Sequence, residues 1–428
     1  MSRYEVAIAG AGITGLVTAL ELHERGHRVR VFEEVKDIKP LGVGLNILPH
    51  SAVHLDRLGV LDRMLARGVA TSNLDYINIQ GQTLWSEPRG LSAGYPVPQV
   101  SMYRGVLQFE LLAAVKERLG DDAVVSGMRA VAGRDEPDSN QAVLTVEHRD
   151  SGERVDVVAD LVIGCDGIHS RVRREFAGDE GPPLWNGQML WRSVTRMKPY
   201  RDGRTMFMAG TNEVKLVAYP LTEVGDDGMC DINWIAELRM DPNDMPDRED
   251  WNRLGQRSEF QSHFADWNWD WLDIAALIGD GSGPPPDGDG SGPVYVFPMV
   301  DRDPLDTWID GRLTLLGDAA HPMYPVGSNG ASQGIIDAAV LAQALDDHPT
   351  VAEALVAYDA ERRPATAAVV RANRSFGPER VLDIAYERAP NGFERIEDVF
   401  AEGEREEIVG SYRRTAGFAV DQVKGSDD

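Results

Sequence analysis

Residues 4–15 read YEVAIAGAGITG, and this stretch decides the fold. Residues 4–9 are apolar and rich in β-formers, which predicts a short strand. Gly10, Gly12 and Gly15 then give the spacing G-x-G-x-x-G. A helical pattern follows through Leu16, Ala19, Leu20 and Leu22 and stops at Gly26. HRVRVFEE, residues 27–34, predicts a second strand. Strand, glycine loop, helix and strand make a βαβ unit, and so the start of a parallel sheet. In that setting the loop predicts dinucleotide binding. The first glycine permits the tight turn, the second lets a pyrophosphate approach, and the third packs the helix against the strand. The phosphates would sit on the free N–H groups around Ile13 and Thr14. Glu33 ends the second strand 18 residues after Gly15, placed to accept hydrogen bonds from ribose hydroxyls. The motif does not separate FAD from NAD, and a plain structural turn is the alternative.

Downstream, residues 51–65 and 107–119 predict helices, and residues 142–146 and 154–158 a hairpin around Asp150-Ser151-Gly152. Residues 160–164 predict a short buried strand. From 189 to 234 several strands are joined by turn residues, which predicts antiparallel β-structure and a second domain. Residues 280–292 (DGSGPPPDGDGSG) predict a flexible loop. Strands are expected at 294–297 and 312–316 and a helix at 334–345. Another is expected at 352–374, kinked or broken at Pro364. The rest reads as mixed, mainly helical, with a polar tail.

The 428 residues include 43 Lys+Arg against 69 Asp+Glu, a net charge of −26, which argues against nucleic acid or an anionic membrane as partner. Residues 226–292 hold 16 acidic and 4 basic residues, and are expected to form a solvated outer face. Cys165 and Cys230 alone make neither a disulfide framework nor a four-thiolate metal site. Residues 1–15 lack the pattern of a secretory signal. The longest uncharged stretch, 319–336, is broken by two prolines and three glycines, so no membrane span is expected. A cytoplasmic protein is expected.

Residues 160–173, DLVIGCDGIHSRVR, resemble the second fingerprint of the single-component FAD-dependent aromatic hydroxylases, and 311–322, GRLTLLGDAAHP, resemble their third. Gly42-Val43-Gly44-Leu45 with Pro49, Tyr103-Arg104-Gly105 with Leu107, and residues 358–364 (YDAERRP) match the same family in order. The stretch HPMYPVGSNGASQGIIDA is most similar to methylphenazine-carboxylate monooxygenases, then to salicylate-type hydroxylases. The resemblance implies a para-hydroxybenzoate hydroxylase-like α/β fold: a Rossmann-like FAD domain with a parallel sheet, plus an antiparallel substrate sheet. We expect the FAD domain to comprise 1–75, 100–185 and 295–370, the substrate domain 76–99 and 186–294, and a helical segment 371–428. Asp318 would accept a hydrogen bond from a ribitol hydroxyl, and Asp166, Gly167 and Arg104 would lie near the FAD phosphates. Gly44, Gly317, Pro325, Gly327, Gly330 and Ala331 would shape the cofactor site, with N–H groups of the helix start facing the flavin pyrimidine edge. Arg171, Arg173 and Arg174 form a local cationic cluster, with a solvated helix face as the alternative. His321, Pro325 and Gly330 are the candidate catalytic positions, although the chemistry belongs to the flavin. His50 stands where relatives often have Asn.

No second G-x-G-x-x-G follows, so no separate nicotinamide domain is expected. The resemblance therefore implies non-covalent FAD, transient NADH or NADPH, and O₂, with hydroxylation of an aromatic ring through a flavin C4a-hydroperoxide. A flavin oxidase or dehydrogenase, or a non-catalytic binding protein on the same fold, are the alternatives. DWNWDW, residues 266–271, lacks the Ile-Pro of flavin halogenases, and its tryptophans read as packing against the acidic loop. The substrate pocket is expected from Trp191, Arg192, Met206, Met208, Tyr219, Pro220, Trp234, Phe297, Met323 and Tyr324, aromatics and methionines suiting a flat apolar ligand. Arg192 is the candidate partner of a substrate carboxylate. The partner is a small aromatic molecule, and the protein a monomer or homodimer.

Overall fold

The computed structural model describes residues 4–38, 43–241, 253–279 and 292–424. The strand Glu5–Ala9 is central in a six-stranded sheet, paired in parallel with Arg28–Glu33 on one side and Leu161–Gly164 on the other. Leu313–Leu315 and Val124–Ser126 extend it in parallel, and only the edge strand Ile309–Asp310 is antiparallel. Its unbroken apolar runs reflect burial on both faces. The helix Ile13–Glu24 packs between Arg104–Leu119 and Gly330–Asp347.

The second large sheet has seven strands. Tyr295–Asp301, Leu184–Met197, Cys230–Arg239, Val214–Pro220 and Thr205–Gly210 are antiparallel in that order, and Asn73–Ile77 and Thr83–Pro88 complete it. One pairing, Thr205–Gly210 with Asn73–Ile77, is parallel, so the region is not wholly antiparallel. A three-stranded sheet, Gly44–Ile47, Gln99–Tyr103 and Val69–Thr71, lies along the chain between the two. The expected hairpin forms from Gln141–His148 and Arg154–Ala159, with Val143 opposite Val158 and Thr145 opposite Asp156.

Two expectations change. Residues 51–65 are two helices, Pro49–Arg57 and Leu61–Leu65, because Gly59 takes a positive φ of 65°. The helix Val351–Arg374 runs through Pro364 without ending. Tertiary bonds on both sides hold it: Tyr358 Oη donates to Leu315 O, Arg362 to Asp337, and Asn373 to Tyr324 O. The loop 280–292 lies outside the described residues apart from Gly292. Among the described residues no helix is long and apolar enough to cross a membrane.

Beyond Arg374, the helices Arg380–Arg388, Glu404–Thr415 and Val420–Lys424 follow. Val381, Leu382, Ala385, Phe400 and Val409 join Leu74, Tyr76, Met206 and Met208 in one buried cluster, so this segment covers a face of the seven-stranded sheet.

Candidate functional site

The three fingerprints meet because their glycines interlock. A Cβ at Gly15 would lie 2.0 Å from Gly10 O, and one at Gly10 2.5 Å from Cys165 O. Thr14 is the central knob: a Cβ at Gly317 would stand 2.6 Å from its Oγ1, and one at Gly334 2.2 Å. Residues more than 300 positions apart thus share one contact.

Around this knob opens a cleft with about 1410 Å³ of space between atoms, part of it open to solvent. Gly12, Ile13, Thr14, Gly44, Arg104, Gly167, Asp318, Pro325, Gly330 and Ala331 line it. At Gly12, Gly167 and Gly330 an added Cβ would meet no protein atom within 4 Å. At Gly167 a φ of 78° itself favours glycine; at Gly12 and Gly330 neither packing nor a positive φ does, and a ligand lying against the backbone would fit there. Gly12 and Gly330 stand at the starts of helices with no side-chain cap and no acidic residue in the first turn, which leaves N–H groups for an anionic ligand. Asp318 is exposed into the cleft. Burial lowers the affinity of Arg104 for its proton, Asp318 opposes that shift, and its guanidinium makes no hydrogen bond within the described residues. Free donors, one carboxylate, one arginine and a glycine-walled groove fit the phosphates, ribitol and ring of FAD.

Other predicted cofactor residues serve the loops. Glu33 accepts from Ala11 N at 2.7 Å and Val35 N at 2.8 Å, so its carboxylate first fixes the glycine loop. It does not line the cleft. Asp166 is half-buried and accepts from Ser170 Oγ and from Arg171 N at 2.7 Å. Burial raises its pKa and these bonds oppose the rise. Gly327, with φ of 68°, lies against Tyr412, whose ring a Cβ would meet at 2.4 Å. It does not border the main cleft but a small void beside it.

The cationic cluster does not form as expected. Arg173 is neither on a solvated face nor at the cleft. It is buried, bonds Ala319 O, Ala320 O and Asp303 O, and pairs with Glu180 at 2.6 Å. It ties the second fingerprint to the third. His321 is a buried, satisfied histidine: it lies beside Trp308, hydrogen-bonds Asp337 at 2.5 Å, and does not line the cleft. Asp337 also accepts from Gly317 N at 3.0 Å and from Arg362 at 2.8 Å. Burial alone would raise the Asp337 pKa, but the His321 and Arg362 charges hold it down to about 2. Through Asp337, His321 helps to hold the Gly317 turn.

The sheet side follows strict alternation. Leu190, Arg192, Met206, Met208, Val217, Tyr219, Ile235 and Glu237 line the cleft. Trp191 and Trp234, expected there, point to the opposite face and pack on Phe260. Trp191 is one residue from Arg192, and Trp234 one from Ile235, so each must face away. Phe297 and Tyr324 do not line the cleft either, whereas Met323 does. Phe297 pairs across from Leu190 at the sheet edge. Tyr324 is buried in the cluster that the C-terminal segment completes. Pro220 is buried and also absent from the lining. Trp267, Trp269 and Trp271 stack on one another and on Phe207, against the sheet's outer face.

Arg192 donates to Gly44 O at 2.7 Å, and its Nε is buried without a partner. Gly44 is where the two sheets come together: its N–H donates to Asn233 Oδ1 at 2.8 Å, and a Cβ there would stand 2.6 Å from Leu221. Several residues of the cleft escaped the sequence reading, among them the apolar Leu190, Val217 and Ile235 and the polar Asn46, Glu237 and Glu379. Glu237 falls in the acidic region 226–292 but is buried, an exception to its solvated face. Alternation from Arg192 could have placed Glu237 through its strand partner. Nothing local marks Glu379.

Comparison with known proteins fits this geometry. The model of a family described as FAD binding domain matches residues 3–275 and 296–373. The phenazine 1,6-dicarboxylic acid hydroxylase PhzS of Lysobacter antibioticus is 43% identical over 373 residues, 86% of this chain and 89% of that protein. The 6-hydroxynicotinate 3-monooxygenase of Pseudomonas fluorescens is 29% identical, covering 80% of this chain and 82% of its own. Among solved structures, Klebsiella pneumoniae HpxO with FAD and uric acid aligns with a TM-score of 0.69 at 21% identity, covering 98% of this chain and 95% of that one.

Proposed function

The chain belongs to the FAD-dependent aromatic hydroxylases, and from that premise we propose that it hydroxylates a flat, polycyclic aromatic carboxylate of the phenazine type. The observation that carries this reading is Arg192: a cleft-lining guanidinium with a buried, unpartnered Nε, between the cofactor loops and an apolar sheet face. FAD, when bound and reduced by NADH or NADPH, would supply the activation of O₂, one atom of which passes to the ring and the other to water.

The chain's own residues bind and orient. N–H groups at the starts of Ile13–Glu24 and Gly330–Asp347 face the phosphates and the pyrimidine edge, where negative charge is favoured. Asp318 accepts from ribitol, and Arg104 neutralises a phosphate oxygen. Leu190, Met208, Val217 and Ile235 exclude water and offer an apolar floor to a flat ring. Arg192 pairs with the substrate carboxylate and so fixes which ring edge faces the flavin. In the same reading 1–75, 100–185 and 295–370 hold the cofactor, and 76–99 and 186–294 hold the substrate.

The test is turnover with labelled O₂. Phenazine carboxylates should stimulate NADH or NADPH oxidation by the yellow, FAD-loaded protein and gain one labelled oxygen atom. Stimulated oxidation that yields only hydrogen peroxide across phenazine and salicylate-type acids would overturn the reading.

A further inference from the structure

The cleft floor has two charged ends. One row across the sheet runs Arg192, Ile235, Val217, Met208, each paired with the next. The neighbouring row runs Leu190, Glu237, Lys215. Two residues along a strand separate the rows, about 7 Å. A ring system lying on Ile235 and Val217 therefore meets a cation at its Arg192 edge and carboxylates at the adjoining edge, where the next row begins.

Lys215, Glu237 and Glu379 are all buried, at 1%, 5% and 2% exposure. Lys215 donates to Glu379 Oε2. It also lies 2.8 Å from Glu237 Oε2, yet that oxygen accepts no aligned hydrogen bond. Both glutamates line the cleft and the lysine does not. One ammonium thus serves two carboxylates. Charges out of water are costly unless fully paired, and a buried set short of one donor is least costly when a ligand supplies it. Glu237 comes from the sheet and Glu379 from the turn Gly377–Glu379 of the covering segment, so two separate elements bring the pair together at one ammonium.

We propose that Glu237 and Glu379 are specificity-determining residues that select an arene bearing a hydroxyl or ring N–H on the edge adjoining the one that meets Arg192. The inference rests on the reading above, that an aromatic acid lies in this cleft with its carboxylate at Arg192. A second carboxylate, ionised, is rejected at the acidic end, which separates mono- from dicarboxylated substrates.

The experiment follows binding to the FAD-loaded protein through the flavin absorbance spectrum. The probes are phenazine, 2-hydroxyphenazine, phenazine-1-carboxylate and a hydroxylated phenazine-1-carboxylate. A hydrogen bond to a charged group corresponds to roughly ten- to hundredfold in affinity. The wild type should therefore prefer the hydroxylated member of each pair at least about tenfold. Glu237→Gln and Glu379→Gln should each reduce that preference severalfold. Arg192→Met should keep it while abolishing the preference for carboxylated over uncharged ligands. A wild-type protein indifferent to the hydroxyl, or a preference surviving unchanged in both Gln variants, overturns the proposal. Indifference to Arg192→Met counts against the carboxylate reading, while the hydroxyl preference of the uncharged pair still decides the proposal here. Should a Gln variant fail to fold, the wild-type ratio alone decides.

Discussion

The strand Cys230–Arg239 carries Trp234 on one face and Ile235 and Glu237 on the other, and the two faces of its sheet have opposite physics. Outward, Trp191, Phe207, Trp234, Phe260, Trp267 and Trp269 make a dry aromatic pile. Inward, methionines, branched aliphatics and a few charges border open space. The pile fixes the sheet, and the open face can then hold charged groups that are only partly satisfied, such as Arg192 and Glu237. Stability and specificity are separated by one residue step.

The largest effect should come from the pile. Trp234→Ala removes a fully buried indole and should cost ~3–5 kcal/mol, read by denaturant unfolding. FAD affinity and turnover of the molecules still folded should hold. Turnover falling with stability intact would break the division of the faces. Next, on the open side, Asp318→Ala should weaken FAD binding by ~1.5–3 kcal/mol, ten- to hundredfold, and leave the cofactor-free protein as stable as before. A fluorescence titration with unchanged affinity would remove Asp318 from the site.

The smallest effect concerns pH. His50 is held at a pKa of about 3 by burial first, then by the Arg362 and His54 charges. The unfolded chain binds that proton near pH ~6.5 and the folded one does not, so stability is lost as pH falls from about 6.5 towards 3. His50→Asn should flatten the acid limb of stability by up to ~1.4 kcal/mol per pH unit, measured as unfolding midpoints from pH 7 to 4.5. An unchanged slope would assign the acid sensitivity elsewhere, for example to His54, also lowered, to about 4.

The nucleotide-binding half was legible because its signals are local: glycines at fixed spacing directly after a strand. Those spacings put Gly12, Gly167 and Gly330 against one cleft. The substrate half was legible only by composition. Trp191 and Arg192 were both expected in the pocket, although alternation allows only one of them; choosing needs the sheet's orientation, which no short motif carries. Pro364 does not break its helix, because Tyr358, Arg362 and Asn373 hold it from both sides through contacts that no local propensity carries. Arg173 looked like a free cation since its carbonyl partners are far off in sequence. Glu379 and Tyr412 belong to the covering segment, where only long-range packing gives them meaning.

Thr14 has a consequence for the order of events during synthesis. Its sockets are Gly317 and Gly334, so a ribosome must finish about three quarters of the chain before the first glycine loop finds its seat. Contacts this distant in sequence slow folding, because the intervening chain must be closed into a loop first. Until then the leading strand and helix emerge with an exposed apolar flank. Cofactor loading is therefore a late event, and the nascent chain spends most of its elongation in need of shelter.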